Sequence, residues 1–86
     1  MRIRFTKHAR KRMAERGITE EQVEQTIEFP DKIGRSVFNH ARFVVKKIYF
    51  NVHLAKKHLL MVIYEEKGKE ILVVTIIDTS KIEKYF

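Results

Sequence analysis

The residues from Phe5 to Phe29 leave this chain the least freedom, because they write two helices with marked ends. Thr6 can accept a hydrogen bond from an otherwise unpaired backbone N–H, and Gly17 suits the left-handed position just past the first helix. Thr19 opens the second, with Gln22 three residues on completing a capping box and Ile18 placed to staple onto Val23. Pro30 closes it, since a proline disfavours helical geometry in the residue before it. With so short a linker, an N-terminal helical hairpin is expected.

At about 100° per residue, the apolar side of the first helix is only Ala9 and Met13. His8, Arg12 and Arg16, at i, i+4 and i+8, lie along its flank, and Lys11 adds a further cation. Two readings stand side by side. The flank is a solvated basic face whose long stems cover apolar surface, or it is the rim of an anion-facing site.

The distribution of charge favours the second. Residues 1–16 carry seven Lys and Arg against Glu15, residues 17–31 five acids and no base, and residues 32–62 seven bases and no acid. A positive face with a negative back suits a polyanion such as nucleic acid better than a uniformly basic surface would. Eighty-six residues, 44% of them hydrophobic, suffice for one domain (1–86) with one core. There is no cysteine, no apolar run of membrane length and no apolar leader after Met1, so a cytoplasmic protein without a membrane partner is expected.

Arg2–Phe5 alternates polar and apolar residues, as a short half-buried strand does. After Pro30 the character turns to β: residues 33–38, 42–50, 59–64 and 71–77, with a turn at Asn39-His40 and a hairpin turn over 65–70. The last two runs are nearly all apolar, as strands covered on both faces are. Lys46 and Lys47 are adjacent and must point to opposite faces. Residues 51–58 read as a polar connector holding Lys56 and Lys57. Asp78-Thr79-Ser80 can cap a short final helix over 81–86. The expected class is α+β: a helical hairpin packed on a mostly antiparallel four-stranded sheet, with a short C-terminal helix.

The glycines stand isolated at 17, 34 and 68, so no phosphate-cradling loop is present. The histidines, at 8, 40, 53 and 58, form no helical i, i+4 pair, and no metal site or cofactor is expected. What remains is His, Lys, Arg and Tyr. These suit metal-independent RNA cleavage, in which the 2′-hydroxyl attacks the neighbouring phosphate while one group takes a proton, another returns one and cations steady the phosphorane. They equally suit a non-catalytic nucleic-acid-binding module.

The run His8-x3-Arg12-Met13-x2-Arg16-Gly17-Ile18-Thr19-x3-Val23, followed by Pro30-Asp31, resembles an uncharacterised-domain family of small prokaryotic proteins. More distantly it is similar to the BrnT toxins of the RelE/ParE class of toxin–antitoxin systems. That resemblance implies a RelE/ParE-like fold and a ribonuclease, acting on free or ribosome-bound RNA and neutralised by a cognate antitoxin. It places Arg42 at a strand arginine of such toxins and Lys84 and Tyr85 at their basic and aromatic tail. Where those sequences carry a basic residue after the last strand, this chain has Ile76-Ile77-Asp78.

The candidate catalytic residues are therefore His8, Arg12, Arg16, Arg42 and Tyr85, with His8 as general base or acid. Lys11, Lys47, Lys56, Lys57 and Lys84 are candidates for RNA contact. A protein-interaction domain is a further alternative, since a strand edge beside residues 42–50 can pair with an incoming segment or with a second copy in a homodimer.

Overall fold

The computed structural model describes residues 2–86. Its strands are β1 (Arg2–Phe5), β2 (Lys32–Arg35), β3 (Arg42–Asn51), β4 (Lys56–Lys67) and β5 (Glu70–Thr79). Its helices are α1 (Lys7–Arg16), α2 (Glu20–Glu28) and α3 (Ile82–Tyr85). The strands form one sheet in the order β1-β5-β4-β3-β2, antiparallel throughout except where β1 runs parallel to β5.

Two parts of the expected architecture are corrected by this. The sheet is mixed and five-stranded rather than four-stranded, because Arg2–Phe5 joins it beside β5. The N-terminal helices do not form a helical hairpin either. α1 packs on β5 and β1, whereas α2 packs on β4 and β3. The physical reason lies in α1, whose buried residues are Ala9 and Met13. So narrow an apolar stripe serves one partner, and the sheet takes it.

The ends of both helices are as the residues dictate. Thr6 accepts from the Ala9 N–H at 3.0 Å, and its hydroxyl donates to the Val74 carbonyl at 2.8 Å, so one side chain caps α1 and ties it to β5. Gly17 takes φ 65°, a left-handed conformation that costs glycine little. Thr19 and Gln22 form the complete capping box of α2.

The core lies between these helices and the sheet. Ala9, Met13, Ile18 and Val23 meet Val45, Leu60, Val62, Ile71, Val73 and Ile76, each buried. Opposite Leu60, β4 buries Leu59 and Met61 on its other face, near α3. The adjacent lysines of β3 divide between the faces. Lys47 donates to the carbonyl of Phe29, the C-cap of α2, at 2.7 Å, and Lys46 to the carbonyl of Tyr85, the last residue of α3. Each ammonium thus meets a carbonyl that a helix end leaves free.

Several boundaries differ from those expected. β4 begins at Lys56 inside the supposed connector, and β2 ends at Arg35 rather than continuing to Phe38. Asp78 is a buried residue of β5 rather than a helix cap, and α3 has no side-chain cap. Thr6→Ala removes two hydrogen bonds and is expected to cost about 1–2 kcal/mol. Thr6→Ser, which keeps both, is expected to lose far less; urea unfolding midpoints of the two variants check this.

Candidate functional site

α1 presents most of its side chains to solvent because only Ala9 and Met13 turn inward. The sequence Lys7-His8-Ala9-Arg10-Lys11-Arg12 therefore forms a basic outer surface. Arg10 is engaged, pairing with Glu20 at 3.1 Å with its guanidinium 5.0 Å from the Phe5 ring centroid. His8, Lys11 and Arg16 are exposed and Arg12 is half-buried; among the described residues none of the four pairs with an acid. Along the axis His8, Arg12 and Arg16 rise by about 6 Å per step.

The other predicted residues lie elsewhere. Arg42, at the start of β3, donates through Nε to Glu65 at 2.9 Å. That hydrogen bond, with a smaller contribution from Lys67, holds the Glu65 carboxyl below the usual carboxylate range. Tyr85 sits on α3, with the Lys84 ammonium 5.4 Å from its ring centroid. Lys47 is tied to α2, while Lys56 and Lys57 are exposed at the start of β4, opposite Asn51 and Phe50. The structure thus keeps His8, Lys11, Arg12 and Arg16 on one helix, and no hydrogen bond or ion pair among the described residues joins Arg42 or Tyr85 to them.

A different group is brought together that the sequence did not announce. The Tyr49 hydroxyl donates to Asp78 Oδ1 at 2.6 Å, and His58 Nδ1 lies 3.1 Å from Asp78 Oδ2. Asp78 and His58 are both buried. Burial first, and then the Asp78 carboxylate that accepts its hydrogen bond, push the Tyr49 phenol up to about 12. With Nδ1–H directed at the carboxylate, His58 Nε2 is left as the free ring position, buried and without a hydrogen-bond partner among the described residues.

This trio links the ends of β3, β4 and β5 beneath the core. Tyr49 reaches the surface in a groove of about 410 Å³ between α2 and β3, beside Thr19, Gln22, Gln25 and Lys47. His58 does not line that groove, so its free nitrogen faces protein rather than a ligand space. The signal for the trio was the phase of β5: Asp78 stands two residues after the buried Ile76 and shares its inward face. No cluster of three or more His, Asp or Glu side chains that could hold a metal forms among the described residues. No described helix is long and apolar enough to cross a membrane.

Because folding raises the Tyr49 pKa from its ordinary 10.0 to about 12, the fold gains stability from the protonated phenol. That gain is whole below pH 10 and is lost as pH rises through 12. Tyr49→Phe is expected to destabilise the protein by about 1–3 kcal/mol at neutral pH, since Asp78 loses a donor. It is also expected to flatten the fall in stability between pH 10 and 12, measured by urea unfolding at each pH.

No curated protein and no solved structure matches this chain. A family model does, over residues 5–84, from the strand that leads into α1 to the last helix. The chain accordingly belongs to the family of a domain of unknown function, DUF4258.

Proposed function

We propose that the protein is a metal-independent ribonuclease of the toxin kind, holding RNA along the basic flank of α1 and neutralised by an antitoxin protein. The carrying observation is that His8, Lys11, Arg12 and Arg16 project from one helix with no acid paired to any of them among the described residues. A row of uncompensated cations beside an imidazole is what phosphate chemistry asks for. Arg12 and Arg16 hold phosphate oxygens and stabilise charge on the phosphorane. His8 takes the 2′-hydroxyl proton or returns one to the leaving oxygen. A distant resemblance to the BrnT toxins, in a helix ending at Gly17 and followed at once by a second, supports this reading, and the sheet, which differs from the one expected, does not.

A second reading, RNA binding without cleavage in the same cytoplasmic setting, is favoured by the engagement of Arg42 with Glu65 and by the position of Tyr85 on α3, away from α1. Both would have served catalysis in the first reading. One gel separates the two. Labelled single-stranded RNA is incubated with the protein in a chelator, then divided between native and denaturing lanes.

Specific fragments in the denaturing lane are expected, with cleavage falling by about 10²–10⁴-fold in His8→Ala while the native shift persists. Full cleavage by His8→Ala would make His8 structural, and intact RNA with a native shift would move the assignment to binding. In either reading, Arg12→Ala and Arg16→Ala are each expected to reduce the slope of log affinity against log salt by about one. Unchanged slopes in both would exclude this helix as the RNA surface.

A further inference from the structure

β2 is the outermost strand on the β3 side of the sheet, and all four of its residues are exposed. Its inner edge is paired. The Ser36 N–H donates to the Arg42 carbonyl at 2.9 Å, and Gly34 stands opposite Val44. In an antiparallel ladder the residues that bond inward alternate with those that bond outward. The N–H and C=O groups of Ile33 and Arg35 therefore point away from the sheet. They are spaced as an incoming strand requires.

Protein edges are commonly protected by charge, proline or a covering loop. Here the edge is accompanied by apolar surface: Ile33 is 69% exposed, Val37 81% and Phe38 97%. A groove of about 530 Å³ runs beside the strand, lined by Gly34, Val37, Phe38, Val44, Met61 and Tyr85. Lys32, Arg35 and Lys46 also border it. No acid occurs between residues 32 and 64, so these charges have no local counterpart in the sequence.

We infer that the β2 edge is a docking strand for an extended segment of a partner protein in which apolar and acidic residues alternate. Backbone bonds to Ile33 and Arg35 give the segment its register. Its apolar side chains enter the groove by Val37, Phe38 and Met61, and its acids, on the opposite face, meet Arg35. Alternation follows from the strand itself, whose successive side chains turn to opposite faces.

A second copy of this chain would bring the same Lys32 and Arg35 to the edge, whereas an acidic segment meets them with opposite charge. This inference stands whether or not the protein cleaves RNA, and its test involves none.

The probe is a soluble peptide alternating valine and glutamate, compared with its valine–lysine counterpart. The valine–glutamate peptide is expected to bind the full chain and to slow hydrogen exchange at the Ile33 and Arg35 amides, followed by NMR. Ile33→Pro removes an outward N–H at an edge position where proline is tolerated. It is expected to weaken binding by about tenfold or more, against about threefold for Ile33→Thr, which keeps the N–H. Arg35→Glu, which leaves the backbone intact, is expected to abolish binding of the acidic peptide and to admit the lysine one. Absence of binding to the unmodified protein, or equal binding by Ile33→Pro and Ile33→Thr, would overturn the inference. So would protection of the two amides on concentrating the protein alone, which would assign the edge to a second copy.

Discussion

β4 runs through the middle of the sheet with Leu59, Leu60, Met61 and Val62 buried in succession, and alternation sends these side chains to both faces. A strand of that kind is unstable unless each face is kept dry, so the fold has to supply a cover on either side. α1 and α2 cover one face, and the four-residue α3 contributes to the other. So short a helix without a side-chain cap has little stability of its own. Its last carbonyl is held by Lys46, and that of Phe86 by Lys32 at 2.8 Å, with the Lys32 ammonium 4.3 Å from the Phe86 ring centroid. Lys47 does the equivalent for α2. The paired lysines that break the apolar pattern of β3 are thus fasteners for the two covering layers.

Five of the eleven acids of this protein make internal contacts. Glu20 holds Arg10, Glu65 holds Arg42, Glu70 lies near Arg2 and Arg4, and Asp31 accepts the Ile48 N–H at 2.8 Å. Asp78 is the extreme case, a buried carboxyl group with Tyr49 and His58 as its partners. A buried charge is tolerable only when it is hydrogen-bonded, so this trio acts as one unit. Lys11, Arg12 and Arg16 of α1, by contrast, pair with no acid among the described residues. The basic surface is consequently a product of how the fold allocates its acids, and net charge alone would not have located it.

Much of this was legible along the chain, and the exceptions have a common cause. Helix ends depend on neighbours in sequence, so Thr6, Gly17, Thr19 and Gln22 marked α1 and α2 correctly. The faces of α1 followed from its period as well. What local pattern does not carry is the partner of each face. It led to a hairpin of α1 with α2 and a four-stranded sheet, whereas Ala9 and Met13 meet the sheet and Arg2–Phe5 joins it. The trio was hidden for the same reason. His58 looked like part of a polar connector and Asp78 like a helix cap, because the bulge between β4 and β5 and the length of both strands are tertiary facts. Among the predicted site residues, those on α1 stayed together because a helix fixes its own spacing, whereas Arg42 and Tyr85 depended on long-range placement.

β1 is the first strand in the chain, yet its one partner in the sheet is the last, with Thr6 bonded to Val74 across a separation of 68 residues. During synthesis, therefore, β1 has no strand to pair with and α1 no floor to rest on until β5 has left the ribosome. The hairpins β2–β3, β3–β4 and β4–β5 can form from near neighbours, but the N-terminal segment must wait for them. Such non-local closure slows folding, because loop entropy is lost before the contact rewards it. The basic helix is accordingly among the later parts of this domain to reach its final setting, and the surface it presents matures only once β5 is in place.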